Sequence, residues 1–390
     1  MAQIREIDVG TVQTRFARGW HCLGLLKTFK DGKPHAIEAF GTKLVVFADS
    51  KGDIKVLDGY CRHMGGDLTQ GEVKGDSIAC PPFHDWRWGR QRQVHRHSLC
   101  SPRASARTHP RVDDPRAERS ALRLERPRGQ SAARRDRDSS YRGAYSDEWT
   151  DWTWNSMVIE GSNCREIIDN VVDMAHFYYI HYAFPTYFKN VFEGEIATQY
   201  LNTTGRPDIG MASQYGGDTL LRSEAAYYGP SYMVNPLWNS YSGYEVESVL
   251  INCHYPISPD SFVLQWGGVT VKKPTGVSDE MADKLAGKFT EGISEGFLQD
   301  VAIWKNKTKI ENPPLLCEED GPPVYQLRRW YEQFYVDKAD VTEKMTQRFE
   351  FEVDTTKANE AWHAEVEENL ARQKAEKEAA AEAAKKEAEV

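Results

Sequence analysis

The chain has 390 residues, of which 40% are hydrophobic and 27% charged, and its formal net charge is −9. This length accommodates two or three hydrophobic cores, whereas no apolar run reaches the roughly 18 residues that a membrane-spanning helix needs. The first residues lack the charged and apolar regions of a secretory signal. Because the seven cysteines form neither a disulfide scaffold nor an even set, we expect a cytoplasmic chain with reduced thiols.

The first predicted elements are β-strands. Residues 43–48 and 54–57 are short runs rich in β-branched and apolar side chains. The turn-forming segment 49–53 separates them, so the pattern predicts a β-hairpin.

Two pairs of cysteine and histidine follow the hairpin. Cys61 and His63 are separated by one residue, and Cys80 and His84 by three. Two thiolates and two imidazoles are the ligands of a Rieske [2Fe–2S] centre, in which the imidazoles raise the reduction potential. A zinc site and loop residues that bind no metal are the alternatives. The Rieske pattern has two residues between the second cysteine and its histidine, whereas this chain has three, 81–83. The extra residue predicts either a bulged loop or a proline that results from a sequence error.

The composition changes abruptly between residues 90 and 142. This stretch contains 15 Arg, 6 acidic residues and no Lys, so its net charge is +9 and that of the remaining chain is −18. A nucleic-acid surface usually combines Lys with aromatic side chains, but Tyr141 is the single aromatic residue here. We therefore expect no nucleic-acid partner. A disordered linker or a shifted reading frame would also explain the stretch.

Beyond this stretch the chain alternates between helical and β patterns. Residues 167–182 form an apolar, helix-like run, and residues 244–255 and 261–271 have the alternation of long antiparallel strands. Apolar residues at helical spacing predict a long helix over 280–304. The last 20 residues, from residue 371, are almost entirely Ala, Glu, Lys, Arg and Gln, so we expect a solvated helix or a disordered tail without a catalytic role.

The helix-like run carries a second candidate metal site. His176 and His181 lie there, with Asp173 close by. Two imidazoles and one carboxylate on one face of an iron ion leave positions for O₂ and substrate. The five-residue spacing predicts a kink or a π-like turn. Asp300, inside the apolar helix 280–304, is costly to bury unless it is paired or binds metal, so it is the candidate third ligand. A core histidine pair and an exposed Asp300 are the alternatives.

Five segments carry a family resemblance: 161–165, 170–181, 187–194, 251–256 and 325–335. They resemble the oxygenase component of 3-ketosteroid 9α-hydroxylase, the Rieske non-haem iron monooxygenase of bacterial steroid and cholesterol catabolism. The resemblance extends over roughly 1–89 and 146–365.

The resemblance implies an α+β chain. An N-terminal all-β Rieske [2Fe–2S] domain would occupy 1–145, a C-terminal helix-grip catalytic domain (an antiparallel sheet with helices) 146–365, and a charged tail 366–390. It also implies a homotrimer with one Rieske cluster and one mononuclear Fe(II) per chain, and O₂ as co-substrate. Since no apolar run is long enough to span a membrane, we expect no membrane partner. Electrons would come from NADH through a separate ferredoxin-type flavin reductase.

The resemblance also assigns roles to individual residues. The cluster ligands are Cys61, His63, Cys80 and His84, and the iron ligands are His176, His181 and Asp300. Asp173 is the carboxylate that bridges His176 to a cluster imidazole of the neighbouring subunit. The substrate-binding positions are Gln199, Asn235, Asn252, Phe297 and Trp304. The implied substrates are androstenedione, androstadienedione or 3-ketosteroids that retain part of the side chain.

The same comparison bears on the Arg-rich stretch. A choice of codons for residues 90–103, read one base later, encodes GNGRCTAIPYARR, which resembles the family's continuation after this point. We therefore interpret about 90–145 as a frameshifted segment that opens near Gly89 and closes near Tyr145. The alternative functions are a Rieske oxygenase for another polycyclic substrate, an inactive frameshifted remnant, or an electron carrier, which would leave the second metal site unexplained.

Overall fold

In a computed structural model, the chain forms an N-terminal all-β region and a C-terminal region that combines a large sheet with helices. The structure describes residues 15–81, 85–89, 94–96, 121–125, 144, 146–241, 243–308, 310–311, 313 and 321–388. Most of segment 90–145, including the interpreted frameshift, therefore lies outside the described residues.

The N-terminal region contains small antiparallel sheets. Its strands are β1 (Trp20–Leu25), β2 (His35–Ala39), β3 (Thr42–Ala48), β4 (Ile54–Asp58), β5 (Glu72–Lys74), β6 (Ser77–Ala79), β7 (Arg87–Gly89), β8 (Val94–Arg96) and β9 (Ala121–Glu125). Strands β2–β4 form one sheet, β5–β8 a second, and β1 pairs with β9. The hairpin predicted around 49–53 is confirmed, because β3 and β4 pair antiparallel.

Strand β3 separates two small cores. Leu44 and Val46 pack in a cluster that includes Phe29, whereas Val45 and Phe47 face a second cluster that contains the two cysteines of the predicted cluster site. Successive side chains of a strand point to opposite faces, so β3 supports both cores. All four of these β3 side chains are fully buried.

The C-terminal region is built on one antiparallel sheet of eight strands, in the order β10-β16-β15-β14-β13-β12-β11-β17. These strands are β10 (Asn155–Glu160), β11 (Ala183–Glu193), β12 (Ile196–Gly205), β13 (Thr219–Tyr228), β14 (Tyr232–Tyr241), β15 (Tyr244–Ser258), β16 (Ser261–Val271) and β17 (Phe349–Glu352). The two long strands predicted over 244–255 and 261–271 are confirmed as β15 and β16. The α+β fold class expected from the sequence is confirmed as well.

The helices are α1 (Arg165–Ile168), α2 (Ala175–Tyr179), α3 (Asp279–Asn306), α4 (Gly321–Glu332), α5 (Glu343–Thr346) and α6 (Thr356–Ala388). The long helix predicted over 280–304 is confirmed as α3. Ser278 caps it by accepting a hydrogen bond from the backbone N–H of Met281, which satisfies one of the unpaired donors at a helix start. The single helix expected over 167–182 is wrong, because α1, a 3₁₀ turn over Asp169–Val171 and α2 replace it.

Helices α3 and α6 enclose the site region from two sides. Phe297 of α3 stacks on Trp266 of β16 with ring centroids 6.1 Å apart. Trp362 of α6 stacks on Tyr178 of α2 at 4.7 Å. A cavity remains between α3 and the inward face of the sheet. No helix in the described ranges is long and apolar enough to cross a membrane.

Candidate active site

The two cysteines of the predicted cluster lie side by side. Cys61 follows β4 and Cys80 follows β6, and both are buried. A Cβ added at Gly66 would lie 2.8 Å from Cys80 Sγ, so the loop passes too close to the sulfur for any other residue. Burial and the adjacent Cys61 thiol raise the pKa of Cys80 to about 12. Two buried thiols in contact are a donor set that suits an iron of a [2Fe–2S] cluster.

Aromatic side chains surround this pair. Trp88 donates its indole N–H to Cys61 Sγ over 3.3 Å. The His63 ring stacks on Trp86 with centroids 4.5 Å apart and planes 6° from parallel. Three of the four predicted cluster ligands are thus brought to one place. The fourth, His84, lies outside the described residues. So does Pro82, so the predicted bulge at 81–83 remains a prediction.

The second site brings two imidazoles and a carboxylate together. The ligand atoms of His176, His181 and Asp300 all lie within 4.8 Å of one another. His181 Nε2 is 3.3 Å from Asp300 Oδ2, and the two imidazole centroids are 5.2 Å apart. This donor set fits an iron with open coordination positions. The two rings converge with a carboxylate rather than packing alone, which favours a metal site over the alternative of a core histidine pair.

The backbone explains how a five-residue spacing still converges. Helix α2 ends at Tyr179, so His181 lies beyond the helix, and Tyr182 adopts a left-handed φ of 53°. The predicted kink or π-like turn is therefore wrong: the helix stops, and the turn after it brings His181 back beside His176. The His176 Nδ1 atom contacts the backbone carbonyl of Asp173, which can only accept, so Nδ1 carries the proton and Nε2 is left to bind metal.

Asp300 reaches this site from helix α3. Its side chain is only 7% exposed, so the alternative of an exposed polar face is wrong. Asn170 donates its side-chain N–H to Asp300 Oδ1 over 3.4 Å, and Trp304 donates its indole N–H to Asn170 Oδ1 over the same distance. Asn170 therefore connects the carboxylate to an aromatic wall of the cavity. The sequence analysis gave Asn170 no role, although it begins the segment that contains both histidines.

Asp173 lies at the edge of this site. Its Oδ1 accepts a hydrogen bond from the backbone N–H of His176 over 3.1 Å and lies 3.8 Å from His176 Nδ1. The Asp173 side chain is 47% exposed, whereas that of His176 is 10% exposed. The carboxylate therefore links the buried imidazole to the surface of the chain.

The cavity has a volume of about 920 Å³ and reaches His176, His181 and Asp300. This lies within the range of about 300–1,000 Å³ found for ligand sites. All five predicted substrate-binding residues line it: Gln199, Asn235, Asn252, Phe297 and Trp304. The three amides come from β12, β14 and β15 of the sheet, and the two aromatic residues from the face of α3 that also carries Asp300.

The amides are held in place by their neighbours. Gln199 donates to the backbone carbonyl of Val171 over 2.9 Å, and Ser223 donates to Asn235 Oδ1 over 2.8 Å. Asn252 is 3% exposed, and its Oδ1 has no hydrogen-bond partner among the described residues. An apolar cavity with a few fixed amides suits a flat, largely apolar ligand that carries carbonyl groups.

Two family models match the chain. The Rieske [2Fe–2S] domain model matches residues 19–106, and the model described as the 3-ketosteroid 9α-hydroxylase C-terminal domain matches residues 135–335. The second match covers about half of the chain, including both histidines and the carboxylate of the second site.

Full-length relatives agree with these models. The 3-ketosteroid-9-alpha-monooxygenase oxygenase component of Rhodococcus rhodochrous is 69% identical over 387 residues, which cover 97% of this chain and 98% of the relative. The protein of the same name from Mycobacterium tuberculosis is 60% identical over 94% of each chain. Among solved structures, NdmA of Pseudomonas putida CBB5 has a TM-score of 0.59 at 13% identity, covering 86% of this chain and 96% of its own. Dicamba monooxygenase has a TM-score of 0.59 at 16% identity, covering 85% and 99%. At such identities these two structures show a shared fold.

Proposed function

This chain belongs to the family of 3-ketosteroid 9α-monooxygenase oxygenase components, and from that premise we propose that it hydroxylates a 3-ketosteroid at C9 with one atom of O₂. The observation that carries the proposal is the convergence of His176, His181 and Asp300 at a cavity of about 920 Å³. A metal-binding set that opens into a ligand-sized, mainly apolar cavity suits the oxidation of an apolar substrate.

His176, His181 and Asp300 would hold the mononuclear iron, which supplies O₂ activation when it is bound and reduced. The Nδ1 of His176 contacts the carbonyl of Asp173, so Nε2 would be the nitrogen that binds the metal. The aromatic residues on α3 and the amides on the sheet would hold the steroid with C9 toward this site. Phe297 and Trp304 offer flat apolar surfaces, and Gln199, Asn235 and Asn252 offer polar groups to ketone oxygens.

Cys61, His63, Cys80 and His84 would hold the [2Fe–2S] cluster, which stores one electron at a time. The contact of the two buried thiols supports this assignment for the cysteines. Since the relatives are oxygenase components, we propose a separate ferredoxin-type flavin reductase that takes electrons from NADH. One cluster and one Fe(II) per chain, a cytoplasmic location and a place in cholesterol and lipid degradation complete the proposal.

Asp173 would serve the transfer of electrons between the two sites. Its carboxylate accepts a hydrogen bond from the His176 backbone N–H and is half exposed, so a cluster imidazole of a second copy can reach it. A homotrimer in which each Rieske domain meets the neighbour's catalytic domain would supply that imidazole. The proposed domain boundaries are residues 1–145, 146–365 and 366–390.

The test is turnover by the purified chain after anaerobic iron loading. With NADH and a family reductase, we expect 4-androstene-3,17-dione to gain one oxygen atom at C9, and about three irons per chain. Asp300→Ala should abolish the product, whereas Asp340→Ala, an exposed carboxylate outside the cavity, should match the unmodified chain. Oxidation of another fused-ring substrate, with none of the steroid, would favour the alternative Rieske oxygenase. A chain without iron would indicate an inactive remnant.

Residues 90–145 need a separate test, because they follow shortly after Cys80 and His84 in the proposed Rieske domain. We propose that this segment arises from a shifted reading frame. Resequencing the gene should reveal a single-base change near each end. An uninterrupted frame that encodes these same residues would refute the frameshift.

A further inference from the structure

Arg206 forms a buried ion pair next to the iron site. The pair joins Arg206, the first residue after β12, to Asp208. Its guanidinium donates twice to the carboxylate, from Nε over 3.0 Å and from Nη2 over 2.7 Å. The two side chains are 6% and 2% exposed. A buried charge is costly unless its partner and hydrogen bonds are in place, so both side chains are held in one geometry.

The same residue donates hydrogen bonds to the backbone on both sides of His181. Its Nη1 donates to the backbone carbonyl of Tyr178 over 3.3 Å, and its backbone N–H donates to the carbonyl of Tyr182 over 3.2 Å. The guanidinium also lies 4.2 Å from the centroid of the Tyr178 ring. Arg206 therefore fixes the end of α2 and the first residue after the histidine.

The turn that contains His181 needs such support. Tyr182 has a φ of 53°, a region that residues other than glycine rarely adopt and that persists only where neighbouring structure enforces it. Gly210 leaves the space that the Tyr182 ring occupies, since a Cβ there would lie 2.9 Å from the ring. The backbone hydrogen bond from residue 206 to the Tyr182 carbonyl continues the pairing of β11 with β12, and the Arg206 side chain holds Tyr178 of α2.

Helix α6 completes the arrangement from the far end of the chain. Asn369 donates to Asp208 Oδ2 over 3.0 Å, and Gln373 donates to the Asp208 carbonyl over 2.9 Å. Trp362 stacks on the face of Tyr178. Asp208 is thus held by α6 and in turn holds Arg206.

We propose that Arg206 is a positioning residue for His181, and that α6, acting through Asn369 and Asp208, keeps Arg206 in the required geometry. This inference rests on the proposed role of His181 as an iron ligand. The C-terminal helix, which contributes no ligand, then determines how firmly the mononuclear site holds its metal. Disrupting an ion pair with a purely structural role would change the stability of the fold without changing the rate of metal release.

The test compares metal release in three variants of the full-length, iron-loaded protein. Arg206→Lys keeps the charge but loses the planar fork that serves two partners at once. Asn369→Ala removes the hydrogen bond from α6 to the Asp208 carboxylate and keeps that from Gln373 to the Asp208 carbonyl, at a half-buried position that should not prevent folding. Arg222→Lys is the control for the substitution itself, because Arg222 also pairs with a carboxylate, that of Glu224, and lies over the ring of Trp238, but at an exposed position away from His181.

The measurement is the rate at which Fe(II) passes to an excess of a ferrous chelator, with the cluster absorbance and the urea midpoint recorded on the same samples. We expect Arg206→Lys to release the mononuclear iron about tenfold faster, the lower end of the range for residues that orient metal ligands, and Asn369→Ala to release it severalfold faster. The cluster absorbance should be unchanged, and Arg222→Lys should match the unmodified protein.

Release at the unmodified rate in both Arg206→Lys and Asn369→Ala would overturn the inference, whatever their urea midpoints. Equal acceleration by Arg222→Lys would also overturn it, because the effect would then be general to the sheet. An unmodified protein that retains its cluster but holds no third iron would refute the iron site of the proposed function itself, and the iron count separates that failure from the others.

Discussion

Trp88 donates its indole N–H to the sulfur of Cys61 over 3.3 Å, and both side chains are buried. Hydrogen bonds to the sulfurs are one of the factors that set the potential of an iron–sulfur cluster. The reduced cluster carries more negative charge, so a donor stabilises the reduced state more than the oxidised one. Cys61 belongs to the first predicted pair and Trp88 lies on strand β7, and the structure is what brings them together.

Trp88→Phe should therefore lower the reduction potential of the cluster. We expect the ratio of reduced to oxidised cluster at a fixed potential to fall by up to tenfold, equivalent to about 59 mV for one electron. Spectroelectrochemical titration measures this directly. Trp330→Phe is the control, since Trp330 is equally buried but donates to the Gly194 carbonyl. An unchanged potential in Trp88→Phe would show that the N–H does not act on the cluster.

Gly66→Ala should prevent assembly of the cluster, because the added Cβ would lie 2.8 Å from Cys80 Sγ. Absorbance after anaerobic reconstitution measures the cluster content. Gly75→Ala is the matched control: it has a φ of +62° and no atom within 4 Å of an added Cβ. That variant should lose about 1–2 kcal/mol of stability through its backbone alone and retain the cluster. A normal cluster in Gly66→Ala would mean that the loop can move away from the sulfur.

Asn170→Ala should weaken steroid binding about five- to tenfold, because it leaves the Trp304 indole and the Asp300 carboxylate without their shared partner. The loss corresponds to about 1 kcal/mol, the usual contribution of a hydrogen bond. Quenching of tryptophan fluorescence by androstenedione measures the Kd. Asn190→Ala serves as control, since Asn190 is buried and donates to the neighbouring Val171 carbonyl without lining the cavity. Equal Kd values for the two variants would contradict the prediction.

Asp208→Asn should destabilise the fold by about 3 kcal/mol at neutral pH, because it leaves the Arg206 charge buried without its partner. Burial acts to raise the pKa of Asp208, but hydrogen bonds from Arg206 and Asn369 outweigh it and lower the pKa below the ordinary value of 3.8. A lowered folded-state pKa stabilises the fold above the ordinary pKa, and this stabilisation is lost as the pH falls through and below 3.8. Urea midpoints of the two proteins should therefore differ by a constant amount from pH 7 down to about pH 4.5 and converge as the pH falls below 3.8. A gap that stays constant well below pH 3.8 would contradict the assignment.

The predictable elements are those whose pattern is local. The hairpin at 49–53 and the strands β15 and β16 follow from alternation and turn residues, and α3 follows from helical spacing over many turns. The short helix α2 was not predictable in its extent. At its end Arg206 donates to the Tyr178 carbonyl and Trp362 stacks on the Tyr178 ring, and no residue within 167–182 signals that end.

By itself the sequence determined which donor groups this protein possesses, because a cysteine, histidine or carboxylate carries its chemistry wherever it lies, and short spacings keep Cys61 near His63 and His176 near His181. It also made Asp300 a candidate, since a carboxylate in an apolar helix is costly without a partner. Only the tertiary structure decided that Asp300 meets His181 at 3.3 Å, that Trp88 reaches Cys61, and that Asn369 of α6 reaches Asp208. These are contacts between distant segments, and their distances depend on how the helices pack on the sheet, which no local pattern encodes.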